Sequence, residues 1–224
     1  MKKNTTATLV LAVMILLFTA CKKDGTTSIN KTNDGTFKVF TEGKITTVQN
    51  LIADTIIGIA PSGQPYGSGK FTFFSLENGT LVASSDSATS KWDIAFRGTT
   101  ILTNAGTSGP ANGGAYTQIG TFDDFATIPT DSIFRVDAAP NYAIKTGSGK
   151  GWYSYDGAAN LITPLPGRVL VIKTANGKYA KLEISNYYRK GSTPSASAPD
   201  AEKLTEQRYY AFRYTYQANG TKNF

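Results

Sequence analysis

The sequence predicts an all-β fold, a single antiparallel β-rich domain that carries one or two short helical turns. Short runs rich in Val, Ile, Thr, Phe and Tyr alternate along the chain with turns that contain glycine, asparagine or proline. Only 17% of the 224 residues are charged and 12% are aromatic. This composition is typical of a turn-rich secreted protein rather than a disordered or helical one, and the length suffices for one domain with a sizeable core.

The first twenty residues have the pattern of an export leader. Lys2 and Lys3 precede a ten-residue apolar segment at 9–18. This segment is too short to cross a bilayer as a helix, which needs about 20 residues. We therefore predict a cleaved signal peptide over residues 1–20.

The residue after the leader predicts a lipid anchor. The string L-L-F-T-A-C at 16–21 resembles a bacterial lipobox, whose cysteine sulfur receives diacylglycerol, although Phe18 stands where leucine is usual. We predict that Cys21 is lipidated and holds the protein on a membrane without a spanning helix. An ordinary signal peptide with an incidental cysteine is the alternative. Residues 21–35 are polar and aperiodic, which predicts a tether, and the β domain follows over 36–224.

Ten runs are predicted to form strands, because their residue types suit a pleated, half-buried surface. The runs are 36–48, 51–59, 70–76, 80–83, 91–103, 131–136, 151–155, 168–174, 178–188 and 208–217.

One hairpin is predicted with particular clarity, R-V-L-V-I-K-T-A-N-G-K-Y-A-K-L-E-I at 168–184. Asn176 and Gly177 tolerate the positive φ angles of a type I′ turn, whose twist matches that of the flanking strands. On the return strand, alternation places Leu182 and Ile184 on one face and their polar neighbours on the other.

The last strand carries an aromatic stripe. Alternation places four aromatic side chains on one face of 208–217, namely Tyr210, Phe212, Tyr214 and Tyr216. Core packing is favoured over ligand stacking as the role of this stripe.

Two short helical turns are predicted. Thr121 with Asp124 three residues later resembles a capping box, which predicts a turn over 122–126. The adjacent pair Asp123 and Asp124 could serve a hard cation or acid–base chemistry, but capping is the favoured role. Residues 202–207 are predicted to form the second turn.

The absent residue types exclude several kinds of chemistry. The chain has no histidine, its two methionines lie within the leader, and Cys21 is its single cysteine. These absences exclude Ser-His-Asp and Cys-His catalysis, zinc held by His or Cys, and haem held by His, Met or Cys. The formal charge is +7, but no Lys/Arg run exceeds two residues, so a nucleic-acid partner is not predicted. Asp93, inside an apolar strand, is expected to pair with Arg97 or to cap a turn.

Four aromatic residues gather around the glycine-rich stretch 147–151. They are Tyr142, Trp152, Tyr153 and Tyr155. Aromatic side chains beside flexible loops suit flat, apolar or sugar-like ligands, so these are candidate ligand-binding residues. Strand packing is the alternative, and spacing alone favours it.

Several segments between residues 91 and 220 match one known family in order. They are K-W-D-I-A-F-R (91–97), T-N-A-G-T-S-G (103–109), G-G-A-Y (113–116), I-P-T-D (128–131), G-W (151–152), R-V-L-V-I-K-T-A-N-G-K-Y-A-K-L-E-I-S-N-Y (168–187) and F-R-Y-T-Y-Q-A-N-G (212–220). Together they resemble the HmuY family of haem-binding lipoproteins from Bacteroidetes-type bacteria. The resemblance implies a monomeric HmuY-like β fold that is anchored at the outer membrane or cell surface. It also implies that the protein captures haem for iron acquisition and delivers it to a TonB-dependent receptor.

The resemblance also implies that two loops grip iron through His or Met, and this sequence departs from that pattern. The ligands would fall between residues 137 and 151 and near 155–156, where neither residue type occurs. Haem could instead bind through a tyrosinate of Tyr142, Tyr153 or Tyr155, as in catalase-type haem, or by apolar stacking without an axial ligand. Because a phenol titrates near pH ~10, tyrosinate ligation needs iron or a nearby cation to lower its pKa.

Three basic residues are candidate partners for haem propionates. They are Lys145, Lys150 and Arg168, and ordinary solvated surface charge is the alternative for each. We predict a non-enzymatic surface lipoprotein that binds haem or a porphyrin without His or Met axial ligands. The alternative is a non-haem lipoprotein that binds a glycan or protein partner on the same scaffold, and a hydrolase is a third reading.

Overall fold

The computed structural model describes residues 33–224, so the predicted signal peptide, Cys21 and most of the tether lie outside the described residues. The described chain forms the strands β1 (Lys38–Glu42), β2 (Ile45–Ile52), β3 (Gly58–Ile59), β4 (Pro65–Tyr66), β5 (Thr72–Ser75), β6 (Thr80–Val82), β7 (Ile94–Arg97), β8 (Thr100–Thr103), β9 (Gly114–Ile119), β10 (Tyr153–Asp156), β11 (Leu161–Pro164), β12 (Arg168–Lys173), β13 (Tyr179–Tyr188) and β14 (Gln207–Gln217), and the helix α1 (Asp200–Glu206). Within residues 33–224, no helix is long and apolar enough to cross a membrane.

Two antiparallel sheets enclose the main core. The larger sheet has the order β1-β2-β14-β13-β12-β9 and the smaller one β6-β5-β7-β8, while β3-β4 and β10-β11 form separate two-stranded hairpins. Phe212 of β14 lies against Phe74 of β5 and Phe96 of β7, with ring centroids 5.7 and 5.5 Å apart. The predicted all-β antiparallel fold is therefore confirmed, and the aromatic stripe of the last strand packs in the core.

Two of the predicted runs contain a turn that splits them into paired strands. The run 36–48 forms β1 and β2, and the run 91–103 forms β7 and β8. Gly43 and Gly98 make these turns with φ angles of 59° and 53°, a region that glycine enters without steric cost. A pattern of strand formers cannot by itself locate such a reversal.

The strand predicted over 131–136 was wrong, and β9 was not predicted at all. Residues 131–136 form a loop whose backbone pairs with the sheet through one bridge between Arg135 and Ala115. Ile133 is 80% exposed, whereas Phe134 is half-buried, with its ring 5.2 Å from Tyr116 and 5.5 Å from Tyr179 on the sheet. The run 51–59 is likewise mostly loop, because β2 ends at Ile52.

The hairpin of β12 and β13 forms as predicted, but its turn is not type I′. Gly177 has a φ of 79°, whereas Asn176 keeps a negative φ, and a type I′ turn needs positive values at both. The Asn176 side chain accepts a hydrogen bond from Thr174 Oγ1 (2.6 Å) and donates to Glu77 Oε2 (2.7 Å). These contacts hold the asparagine in its position.

Both faces of β12 and β13 are covered, which explains a buried lysine. Leu182 and Ile184 face the main core as predicted, while Lys181 on the other face is only 6% exposed. Its Nζ donates to the carbonyl oxygens of Phe122 (2.7 Å) and Phe125 (2.9 Å), and burial lowers its pKa. The lysine thereby joins the sheet to the segment that covers it.

The predicted turn over 122–126 is a single hydrogen-bonded turn rather than a helix. Asp124 N–H donates to Thr121 Oγ1 (3.2 Å), and that hydroxyl donates to Asp124 Oδ2 (2.6 Å), so the predicted capping contact forms. Asp123 instead receives two hydrogen bonds of 3.1 Å from the Arg213 guanidinium. The turn predicted over 202–207 is confirmed as α1.

Asp93 caps backbone groups of two separate segments. Its Oδ2 accepts Leu76 N–H (2.7 Å) and its Oδ1 accepts Ala175 N–H (2.9 Å), so the turn-capping alternative is correct. Arg97 instead donates to Gly69 O (3.2 Å). Burial raises the pKa of the Asp93 carboxyl, although these N–H groups favour its ionised form.

Replacing Asp93 should cost measurable stability. In Asp93→Asn one of the two backbone N–H groups would meet an amide NH₂, which also donates. We expect the free energy of unfolding to fall by about 1–3 kcal/mol, the penalty for a buried unsatisfied polar group. Urea unfolding followed by tryptophan fluorescence measures it, with Asp131→Asn at an exposed carboxylate as control. Equal midpoints for both variants would contradict this role.

The carboxylate of Asp54 makes the free energy of unfolding depend on pH in the acid range. Burial alone would raise its pKa, but hydrogen bonds from Ser68 Oγ (2.7 Å) and Gly69 N–H (3.0 Å), together with Arg208, lower it below the ordinary value. A lowered folded pKa stabilises the protein fully above the unfolded pKa of about 3.9, and this contribution is lost as pH falls through the folded pKa. Asp54→Asn should therefore destabilise the protein at about pH 7 and progressively less on acidification toward about pH 3. Urea unfolding at both pH values tests this, and a difference that does not depend on pH would contradict it.

Candidate functional site

Two adjoining cavities lie between β9, the start of β12 and the loop at 137–151. Their volumes are about 590 and 480 Å³, and they share Arg135, Lys145 and Lys150 as lining residues. We name the combined surface of both cavities, which also includes Arg168, the basic groove. Each of the two cavities lies in the ~300–1,000 Å³ range of small-molecule sites.

The loop that carries the two lysines is fixed at its start by Asp137. This carboxylate is 1% exposed; its Oδ2 accepts Thr103 N–H and its Oδ1 accepts Ala143 N–H, both at 2.8 Å. Ala143 and Ile144 then enter the main core. Lys145 is therefore held at the surface by its two buried predecessors.

The end of the same loop is fixed by a glycine. Gly151 is buried, and a Cβ atom at this position would collide with the carbonyl oxygen of Lys145. This close approach closes the segment 145–151 on itself. Lys145 and Lys150 thus stand near the two ends of this closed segment, and both are exposed.

The groove combines positive charge with apolar surface. Four cations line it, Arg135, Lys145, Lys150 and Arg168, and none of the described residues that line either cavity is acidic. Ile119 and Ile133, which are 63% and 80% exposed, line the second cavity. Such a surface suits a ligand that has carboxylates at one edge and an apolar face.

Tyrosine side chains border each cavity. Tyr142, half-buried, lines the first one and packs against the cluster around Trp92. Tyr116 lines the second, burial raises its pKa, and Ser132 Oγ lies 3.3 Å from its oxygen. The groove therefore offers aromatic surface beside its cations.

Two of the sequence-predicted site residues lie in the core instead. Trp152 is 2% exposed, donates its indole N–H to Thr99 O (2.9 Å) and packs on Tyr187 and Tyr210, with ring centroids 5.5 and 5.1 Å away. Tyr153 is 9% exposed, with its ring 5.0 Å from that of Trp152. Strand packing, the alternative favoured by their spacing, describes both residues.

Tyr155 is exposed but lines a different cavity. Its side chain is 49% exposed and its hydroxyl donates to Asn160 Oδ1 (2.8 Å). The structure thus brings together Tyr142, Lys145, Lys150 and Arg168, and separates Tyr153 and Tyr155 from them.

Sequence reasoning missed Arg135, Tyr116 and Ile133. Their positions depend on the bridge between Arg135 and Ala115, a long-range backbone pairing. The segment G-G-A-Y, which matched the family, contains Tyr116 and was the available signal.

The groove residues fit the organic part of a haem better than its iron. Residues 33–224 contain no His, Met or Cys, and no cluster of three or more His, Cys, Asp or Glu that could hold a metal is found in this range. The raised pKa of Tyr116 keeps that phenol neutral, which weakens it as an iron ligand. Propionates and a flat apolar ring, in contrast, match the cations and the apolar surface.

A protein-family model matches more than half of the chain. The model of the HmuY protein family matches residues 68–197. No curated protein matches the chain.

The solved structures that resemble the chain include the following three. A protein described as a lipoprotein from Bacteroides fragilis NCTC 9343 is 14% identical, with a TM-score of 0.46, over 80% of this chain and 93% of that chain. A protein described as an HmuY-like haem-binding protein from Bacteroides vulgatus ATCC 8482 is 15% identical, with a TM-score of 0.44, over 77% and 91%. The apo HmuY analogue of Tannerella forsythia is 16% identical, with a TM-score of 0.42, over 80% and 97%.

Proposed function

The chain belongs to the HmuY family, and from this premise we propose that it captures haem or a related porphyrin in the basic groove without His or Met axial ligands. The observation that carries the proposal is the set of four groove cations, with no acidic residue among the described lining residues. A porphyrin of this class bears two propionates on a flat apolar ring. Its charge and its shape both match the groove.

Binding rests on contacts to the organic ligand. Lys145, Lys150 and the two arginines give charge-assisted hydrogen bonds to the propionates. Ile119, Ile133 and Tyr142 give apolar and aromatic contact to the ring. When iron is bound, it adds a Lewis-acid centre for which Tyr142 is the groove's candidate phenol, and the affinity does not depend on that contact.

The leader and the family membership support a proposal for the cellular setting. We propose that Cys21 is lipidated, that the domain stands as a monomer on the outer membrane or cell surface, and that a TonB-dependent receptor takes over the porphyrin. The lipobox at 16–21 supports the anchor. No step of this function requires catalysis, so we propose a binding protein rather than an enzyme.

A titration with three matched ligands tests the proposal. The chain without its leader, carrying Cys21→Ser, is titrated with ferric haem, metal-free protoporphyrin IX and its dimethyl ester. We expect haem and the metal-free porphyrin to bind within about threefold of each other and the ester roughly tenfold more weakly, because only the ester lacks carboxylates.

The same titration separates the alternatives. Binding of haem alone, with a Soret shift that disappears in Tyr142→Phe, would show that a tyrosinate ligand carries the affinity. A shift that instead disappears in Tyr155→Phe would move the site away from the groove. Absence of any binding at micromolar ligand would remove the proposed function.

A further inference from the structure

A third cavity of about 350 Å³ lies where three elements meet. The β3–β4 hairpin contributes Gln64, the β10–β11 hairpin contributes Tyr155 and Asn160, and α1 contributes Asp200. None of its described lining residues also lines the basic groove. We name it the amide pocket, because its lining includes the side-chain amides of Gln64, Asn160 and Gln207.

A continuous chain of hydrogen bonds orders one wall of the amide pocket. Tyr155 Oη donates to Asn160 Oδ1 (2.8 Å), and Asn160 Nδ2 donates to Asp200 Oδ2 (3.0 Å). Lys203 Nζ lies 3.4 Å from Asp200 Oδ1. Four polar side chains, two from the β10–β11 hairpin and two from α1, are therefore fixed relative to one another before any ligand arrives.

Lys203, at the end of this series of hydrogen bonds, helps to hold the wall of the pocket in place. Lys203 is 4% exposed, and its Nζ also donates to Ala159 O (2.7 Å) and Ala196 O (2.8 Å). All three of its donor positions are thus engaged. The pocket carries one carboxylate and one buried ammonium that neutralise each other, so it has no excess of positive charge, in contrast to the basic groove.

Hydrogen-bonding capacity remains for a ligand. Asn160 Nδ2 has a second N–H, and Tyr155 Oη and Asp200 Oδ2 have unused lone pairs. Among the described residues, the side-chain amides of Gln64 and Gln207 have no hydrogen-bond partner. Donors and acceptors are therefore mixed, as recognition of hydroxyl groups requires.

Apolar surface lies beside these polar groups. The Tyr155 side chain is 49% exposed, and Pro65, Ile162 and Leu204 also line the pocket. A sugar ring presents a C–H face that packs on an aromatic ring, and hydroxyls at its edge that both donate and accept. The volume leaves room for a disaccharide-sized ligand.

We propose that the amide pocket binds a neutral saccharide, with the C–H face of a sugar ring against Tyr155 and its hydroxyls on Asn160, Asp200 and Gln207. This site is separate from the basic groove and does not depend on porphyrin binding. The protein then contacts a glycan through one surface and a porphyrin through another.

Saturation-transfer NMR with maltose, cellobiose and lactose tests this site on the leaderless Cys21→Ser chain. An open pocket of this size should bind with a dissociation constant on the order of 1 mM, so each sugar is used at about 10 mM. We expect transfer to the ring protons of at least one disaccharide. Tyr155→Ala should weaken binding at least about tenfold, and Gln207→Ala by a smaller factor, while Tyr142→Ala in the basic groove leaves it unchanged.

Three results would overturn the proposal. They are no transfer to any of the three sugars, transfer that survives both Tyr155→Ala and Gln207→Ala, and transfer that is abolished by Tyr142→Ala. The last would show that the basic groove, and not the amide pocket, binds the sugar. Gln207→Ala keeps the test valid if Tyr155→Ala disturbs the β10–β11 hairpin, which the amide NMR spectrum of each variant shows.

Discussion

The double variant Lys145→Glu with Lys150→Glu should bind metal-free protoporphyrin IX on the order of a hundredfold more weakly than the unchanged chain. Both lysines line both cavities of the basic groove. Each reversal removes an attraction to the propionates and adds a repulsion, which we expect to cost about tenfold apiece. The measurement is a fluorescence-quenching titration, repeated at raised ionic strength, where the affinity of the unchanged chain should fall because exposed charges are screened.

A charge-matched control distinguishes the groove from the overall charge. Lys44→Glu with Lys70→Glu makes the same change in net charge at exposed positions that line neither cavity. We expect this control to bind porphyrin within about threefold of the unchanged chain. If both double variants weaken binding equally, general attraction by a basic protein accounts for the affinity and the groove does not.

Residues of the basic groove could be predicted from the sequence only where a local pattern or the likeness to the family identified them. Lys145, Lys150 and Tyr142 lie on one loop whose place in the family pattern was recognisable. Arg135 was not predicted, because it belongs to a run that looks like a strand and forms a loop. Its position depends on one bridge to Ala115, and periodicity within either segment does not encode that pairing.

In the fold, too, features set by local sequence pattern were predictable, and features set by long-range contacts were not. The hairpin at 168–184 was predictable because alternation and an Asn-Gly turn lie within one short segment. The type of that turn was not, because Asn176 bonds to Glu77, which lies 99 residues away in the sequence. β9 was missed although half of G-A-Y-T-Q-I consists of strand formers, because it begins inside the turn signal Asn112-Gly113-Gly114. Its six residues pair in full register with β12.

The four aromatic ligand-site candidates near the glycine-rich stretch 147–151 differ in burial, and their spacing in the sequence cannot reveal that difference. Trp152 and Tyr153 are adjacent and both buried, whereas Tyr155, two residues further on, is exposed. The large sheet behind them carries Tyr187 and Tyr210, and the indole of Trp152 packs against both rings. Aromatic residues beside flexible glycines are therefore ambiguous until the facing element is known.

Truncating Trp152 should produce the largest loss of stability among single substitutions in this region. Its indole is 2% exposed, packs on Tyr187 and Tyr210, and satisfies Thr99 O through a hydrogen bond of 2.9 Å. Trp152→Ala should lower the free energy of unfolding by about 3–5 kcal/mol, because it leaves a cavity and removes the partner of a carbonyl group. That loss is a large fraction of the ~5–15 kcal/mol that holds a typical domain together.

Two companion variants distinguish packing from a ligand role for Trp152. Trp152→Phe keeps much of the ring and loses the indole N–H, so its loss should be smaller, whereas Tyr155→Ala at an exposed side chain should cost under about 1 kcal/mol. Urea unfolding of the three variants gives the free energies, and porphyrin titration of the same preparations gives the affinities. If Trp152→Ala kept its stability and lost porphyrin binding, the indole would have to belong to the ligand site, and the core packing described above could not be its role.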